Sequence, residues 1–197
     1  DSVVERVHAY GGLVFHDVIS VAHARKAIAS GVDGLILVCA GAGGHGGNLS
    51  PFALVNEVRG FWDGPLVLAG ALSTGRDVRA VEVMGADLAY MGSRFIATEE
   101  CAAVPEHKQM LVQDSATDII YTPVFSGIAA NYLTRSVIAA GVDPSTLQGP
   151  QTGGKDDLFA ALDSKPKAWK DVWSAGQGIG SIHDIPSVAE LLDRMHS

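Results

Sequence analysis

The chain has 197 residues, 47% hydrophobic and 18% charged, with 23 glycines and a formal net charge of -8. That length and composition fit one globular domain with a sizeable core. The acidic balance, with no basic cluster, argues against nucleic acid as a partner; no apolar run approaches the roughly 20 residues that span a bilayer, and no secretory signal pattern is present.

The chain opens at Asp1 without a methionine and runs almost at once into Tyr10-Gly11-Gly12-Leu13-Val14-Phe15-His16-Asp17-Val18. That stretch has the character of the interior of a repeating fold, so sequence upstream of Asp1 is expected. Four short apolar runs read as strands: Leu13 to Val18, Gly34 to Val38, Pro65 to Ala69 and Leu88 to Met91. They are bounded by glycine and apolar on both faces, as parallel strands covered on both sides should be. Helical segments separate them. Val21 to Ser30 is alanine-rich with Gly31 as its C-cap; Pro51 to Phe61 has proline at its first position after Ser50; Thr74 to Met84 follows Ser73 and ends at Gly85. The phrases Gly31-Val32-Asp33-Gly34 and Gly85-Ala86-Asp87-Leu88 echo one another as helix exit, turn and strand entry.

This βα rhythm predicts a parallel sheet with right-handed crossovers. A (β/α)8 barrel and a doubly wound sheet both fit, and glycine-rich strand ends favour the barrel, of which four units are half. From about Thr98 the rhythm stops. Glu99 to Gln113 reads as a helix, Ile119 to Phe125 as a loop or edge strand because of Pro123, and Ile128 to Ala140 as a helix ended by Gly141-Val142-Asp143-Pro144. Gln148 to Lys155 reads as a polar loop, Asp156 to Lys170 as a helix broken at Pro166, and Ser187 to His196 as an amphipathic helix behind Pro186. With no linker in sight, residues 1–197 are expected to be part of one barrel domain, with 98–197 as a C-terminal helical extension.

The most telling stretch is Cys39-Ala40-Gly41-Ala42-Gly43-Gly44-His45-Gly46-Gly47, between the run ending at Val38 and the helix start at Ser50-Pro51. A strand that breaks into glycines and presents one histidine suits a loop around a flat or anionic ligand. Histidine is the side chain whose ordinary pKa suits proton transfer near neutrality. Two further strand ends, Ala69-Gly70-Ala71-Leu72-Ser73 and Met91-Gly92-Ser93-Arg94, have the form of a barrel phosphate site, in which small residues expose backbone N–H groups and a following helix adds its positive end.

The run Asp33 to Arg59, the Ala69-Gly70-Ala71 end, the block Gly85 to Phe95 and the tail Trp173-Ser174-Ala175-Gly176-Gln177-Gly178 together resemble the nitronate monooxygenase family, once called 2-nitropropane dioxygenases. The resemblance covers nearly the whole chain and aligns it with the later strands, fifth to eighth, of that family's (β/α)8 barrel, and with its C-terminal helices. It implies an FMN-dependent oxidation of nitronates or nitroalkanes with O2, giving carbonyl compounds and nitrite. It implies that His45 is the catalytic base, that Ala42, Gly43 and Gly44 lie against the flavin ring, and that Gly70, Ala71, Gly92 and Ser93 donate backbone N–H groups to the FMN phosphate. The partners implied are a small-molecule substrate and O2, and a homodimer is compatible with the reading. The chain departs from the pattern at Gly41, where many members carry glutamate, and at Ala71 and Ser93, where many carry glycine and threonine.

Other residues read more plainly. His8, His16, His23, His107 and His196 are expected to be structural, and His183 is a candidate for the pocket rim. Cys39 reads as a small buried residue. Two cysteines, Cys39 and Cys101, make no disulfide framework, which favours a reduced, cytoplasmic setting. The seven histidines lack paired ligand spacing for zinc. Tyr121, Phe125 and Tyr132 suit either an apolar pocket or core packing. The rival activities are a flavin-dependent enoyl-thioester reductase using NAD(P)H, with the same Gly-Gly-His loop, and an inosine-monophosphate-dehydrogenase-like barrel, which needs a nucleophilic cysteine in a loop after a strand. A non-enzyme alternative is an incomplete half-barrel, inactive alone.

Overall fold

The glycine-bounded apolar runs form β1 (Phe15–Val18), β2 (Gly34–Val38), β4 (Leu66–Ala69) and β5 (Leu88–Tyr90), while the glycine loop contributes a two-residue strand, β3 (Gly44–His45), to a different sheet. The structure, a computed structural model, describes residues 2–147 and 166–196. The parallel sheet runs β1-β2-β4-β5, each strand added beside the one before. Because the order of addition never reverses, the sheet lacks the switch point of a doubly wound fold. It is an arc of a (β/α)8 barrel.

The helices are α1 (Val3–His8), α2 (Val21–Ala29), α3 (Pro51–Arg59) and α4 (Gly75–Met84). Ser20 and Thr74 cap α2 and α4 through their hydroxyls. Proline at the start of α3 needs no donor partner. Strand register puts Leu35 beside Leu66 and Leu37 beside Leu68. These four are buried in one cluster with Ala24, Leu54, Val58 and Val81 from the helices. The opposite sheet face carries the row Asp17, Ile36, Val67 and Leu88.

The two echoed phrases perform the same task. Asp33 Oδ2 accepts the amide of Val14 at 2.7 Å, and Asp87 Oδ2 accepts that of Leu66 at 2.8 Å. Each aspartate, at the entry to one strand, ties down the entry to the neighbouring strand. The Val14 amide, then the His8 ring, hold the Asp33 carboxyl below its usual range. The Leu66 amide does the same for Asp87, against an opposing effect of burial and with help from the Arg59 guanidinium.

After Thr98 the chain is less helical than its composition suggests. Beyond a short α5 (Ser93–Ile96) that precedes Thr98, it forms α6 (Pro105–Gln113), β6 (Ile119–Thr122), β7 (Ala130–Leu133), α7 (Thr134–Ala139) and α8 (Val188–His196). The helix expected over Glu99 to Gln113 starts only at Pro105, whose ring fits the first turn and not a helix interior. The helix expected over Ile128 to Ala140 is instead β7 followed by α7. All four residues of β7 are buried, paired on one side with β6 and on the other with β3. Two-sided burial overrides the helix propensity of the alanines. The extension from residue 98 therefore carries an antiparallel sheet as well as helices. Ile119 to Thr122 is an edge strand, as one of its two readings required. The segment after Pro166 is a turn closed by an Ala168–Val172 bridge, not a helix. The loop read over 148–155 and the helix read over 156–165 lie outside the described residues.

Candidate functional site

The C-terminal ends of three parallel strands are level, with Val38 opposite Ala69 and Ala69 opposite Tyr90. The loops that follow open together onto a cleft of about 190 Å³. Ala42, Gly43, His45, Gly70, Ala71, Gly92 and Ser93 all line it. Gly44 does not; it is buried, in the antiparallel pairing with Asn131.

The tail segment after Trp173 stitches these loops together. Gly41 O accepts the amides of Ala71, at 3.2 Å, and Gln177, at 2.8 Å. Ser93 Oγ accepts the Gly176 amide at 2.8 Å, and Ser73 Oγ donates to Gly178 O at 2.8 Å. The backbones approach so closely that side chains are excluded. A Cβ on Gly176 would lie 2.7 Å from Gly41 O, one on Gly178 2.5 Å from Ala71 O, and one on Gly43 2.8 Å from the Gly176 nitrogen.

Two expectations change as a result. Gly43 is needed for packing against Gly176, whatever it offers a ligand. The Ala71 amide is already taken by Gly41 O, which removes it from the set of phosphate donors. Ala71 also sits at φ 57, in the left-handed region that costs a residue with a Cβ roughly 1–2 kcal/mol. By contrast, the amides of Gly92 and Ser93 take no backbone partner among the described residues. A Cβ on Gly92 would meet nothing within 4 Å, and Gly92 is among the residues that line the cleft.

His45 is exposed at the cleft edge, its backbone in register with Ala130 of β7. Its Nε2 lies 2.9 Å from Ser126 Oγ, and its ring meets Trp169 edge-on with centroids 5.1 Å apart. Asn131, buried behind it, donates to Ala42 O at 2.6 Å. Sequence reasoning missed Ser126, Trp169 and Asp17. Asp17 is the sole carboxylate among the described cleft-lining residues, and it lies on the edge strand β1, across the sheet from Gly92. Its place at the end of a predicted strand was the available signal; Ser126 and Trp169 reach His45 only through the fold.

The remaining candidates sort clearly. Cys39 is fully buried, and burial pushes its thiol up to about 11, so almost no thiolate exists near neutrality. His183 lines a neighbouring cavity with Arg94 and Asp184, not the His45 cleft. His107 is stacked on Trp173 and donates from Nε2 to Ser174 O at 3.2 Å. Burial holds its imidazole below its usual pKa, partly opposed by that hydrogen bond. Tyr132 is core, with Phe125 packed on its ring. Tyr121 donates to Gly46 O at 2.8 Å, bracing the far side of the glycine loop.

The residues present suit one end of a flavin mononucleotide. Small residues line the strand ends, and two uncommitted amides flank the open space at Gly92. The volume is below the roughly 300–1,000 Å³ of pockets that bury a whole drug-sized ligand, so the described residues have room for part of such a molecule. Among the described residues no lysine or arginine lines the cleft. A phosphate there would rest on backbone dipoles.

Known proteins resemble this chain in sequence and in fold. The chain is 33% identical over 210 residues to the nitronate monooxygenase of Neurospora crassa, covering 96% of this chain and 54% of that one. It is 24% identical over 233 residues to a Rhodococcus jostii protein named (3aS,4S,5R,7aS)-5-hydroxy-7a-methyl-1-oxo-octahydro-1H-indene-4-carboxyl-CoA dehydrogenase, covering 97% and 65%. The nitroalkane oxidase structure from Streptomyces ansochromogenes superposes with a TM-score of 0.78 at 24% identity, over 98% of this chain and 59% of that one. Such a likeness speaks for the barrel fold alone. The chain spans about half the length of most of the curated relatives it matches. The family model for nitronate monooxygenase matches residues 1–197, and the chain belongs to that family.

Proposed function

We propose that the protein carrying this chain oxidises nitronates or nitroalkanes with a bound FMN and O2, and that His45 is its base. The observation that carries this reading is the cleft itself. His45 is held by β7 at the rim of the same opening that Gly92 and Ser93 line, and the amides of those two take no backbone partner among the described residues. The family membership supports a flavin-dependent oxidation. FMN, when bound, supplies the electron acceptor and the reaction with O2 that ends in a carbonyl compound and nitrite. The amides of Gly92 and Ser93, with Gly70 beside them, hold its phosphate. Ala42 and Gly43 border the ring. His45 takes the α-proton of a neutral nitroalkane, a step that a nitronate does not need.

Turnover of both substrates by the intact protein tests this reading. His45→Asn is expected to keep FMN bound and to slow neutral nitroalkanes by roughly 10²–10⁴, the usual worth of a positioned base, while nitronate turnover falls much less. Equal rates with wild type on both substrates would overturn the assignment.

A second reading has two observations in its favour. Gly41 replaces the glutamate of many family members, and the Rhodococcus relative named for a carboxyl-CoA substrate matches almost the entire chain. On that reading the flavin exchanges hydride with the carbon skeleton of an acyl thioester, as an enoyl-thioester reductase also would with NAD(P)H. Anaerobic mixing separates the cases. Bleaching of the flavin by a nitronate favours the first, and bleaching by NADH or an acyl-CoA favours the second.

A further inference from the structure

The turn between β6 and β7 brings Ser126 to His45, and its hydrogen bonds have a definite direction. The Ser126 hydroxyl donates to Ile128 O at 2.9 Å. A hydroxyl has one proton to give. Nε2 of His45, 2.9 Å from the same oxygen, is therefore the donor in that pair. Tyr132, fully buried, directs its hydroxyl to Ser126 Oγ as well, at 3.4 Å. Both lone pairs of Ser126 are then engaged and its proton is spent. A neutral imidazole that carries its proton on Nε2 keeps its lone pair on Nδ1.

The Ser126 turn is itself anchored. Gly127 donates to Pro123 O at 2.7 Å and sits at φ 86, a conformation that suits glycine. Ala130, four residues after Ser126, is the ladder partner of His45. The backbone pairing and the side-chain bond thus set both the position and the rotation of the ring, and the edge contact with Trp169 adds a third constraint.

We propose that Ser126 is a positioning residue that selects the Nε2–H tautomer of His45, making Nδ1 the atom that accepts the substrate's α-proton. This rests on the reading of His45 as the base. In the step, the C–H bond of a neutral nitroalkane breaks, its proton passes to Nδ1, and its electron pair delocalises into the nitro group as nitronate. The imidazolium formed carries N–H on both nitrogens. Its Nε2–H still donates to Ser126 Oγ, now as a charge-assisted bond, so the same hydroxyl orients the ring before and after the proton transfer.

The test uses the intact flavin-loaded protein. Nitrogen-15 NMR of labelled histidine is expected to show Nε2 protonated and Nδ1 bare in the neutral ring of wild-type His45. Ser126→Ala is expected to lose that preference and to lower kcat/KM for a neutral nitroalkane roughly three- to tenfold, the worth of one neutral hydrogen bond. The rate with preformed nitronate should change less. Ser126→Thr, which keeps the hydroxyl, should restore both the rate and the tautomer preference. A wild-type spectrum with the proton on Nδ1 would overturn the proposal whatever the variants do. So would Ser126→Ala with unchanged tautomer and rate. If His45→Asn leaves neutral nitroalkane turnover intact, the base reading fails instead, and the tautomer spectrum still decides the hydrogen-bond direction.

Discussion

Gly92→Ala separates the space a ligand needs from the space the fold needs. Gly92 precedes α5 with φ -104 and ψ -65, angles that alanine adopts freely. A methyl group there would touch nothing within 4 Å. Removing glycine's freedom from the unfolded chain stabilises by about 0.4–1 kcal/mol. Alanine is a poorer N-cap than glycine by a similar amount. The two effects nearly cancel, so the unfolding free energy should stay within about 0.5 kcal/mol of wild type. Binding should respond quite differently. The methyl enters the cleft between amides that would sit about 2.7–3.2 Å from phosphate oxygens. Loss of one hydrogen bond to a charged group costs about 1.5–3 kcal/mol, a rise in Kd of roughly 10- to 150-fold. Urea unfolding of the apoprotein reads the first quantity, and titration of flavin fluorescence reads the second. Unchanged FMN affinity would refute the placement of the phosphate at this strand end. A large loss of stability would show that Gly92 is needed for packing after all.

Gly176→Ala should behave in the opposite way. Its Cβ would press on Gly41 O at 2.7 Å and strain the bond to Ser93 Oγ, so overpacking plus one weakened hydrogen bond predicts a loss of about 2–4 kcal/mol, read by urea unfolding. His107 predicts a pH effect. Burial lowers its folded pKa, so its contribution is complete above the unfolded value near 6.5 and is lost as pH falls below it. The melting temperature should therefore drop between about pH 7 and 5 in wild type, more steeply than in His107→Gln, because Asp33 and Asp87, with pKa values held low, act only in a more acid window.

The barrel half of the fold was legible because its signals are local. Each strand is a short apolar run between glycines, and each helix has a cap or a proline at its start. The aspartates of the echoed phrases were visible as a repeat, although their role, tying neighbouring strand entries, needs a partner some 20 residues away. Strand β7 was not legible. Ala130 to Leu133 reads as helix by composition and becomes strand because β3 and β6 bury it from both sides. A strand of two residues such as Gly44–His45 has no periodicity from which to read it.

The site was legible to the extent that its function depends on residue type within one loop. His45, Gly70, Gly92 and Ser93 meet at one opening because strand ends of a parallel arc are level by construction. What could not be read is which glycines face a ligand and which face protein. Gly43 and Gly92 look alike in sequence, yet one is pressed against Gly176 and the other borders empty space. Gly41 belongs with the first kind. It sits at φ 86, its carbonyl binds two amides, and a Cβ there would lie 3.1 Å from both Ala71 Cβ and Gln177 Oε1. A glutamate at this position would have to adopt a left-handed backbone and displace the tail segment, so the absence of that carboxylate is tied to the tight seating of residues 175–178. The cleft is consequently less acidic near His45, and its carboxylate comes from Asp17, on the other edge of the sheet. Charge near His45 and closure of the tail are thus coupled through one residue, and a Gly41→Glu exchange alone would not restore the pattern of other family members without loosening the loops that hold it.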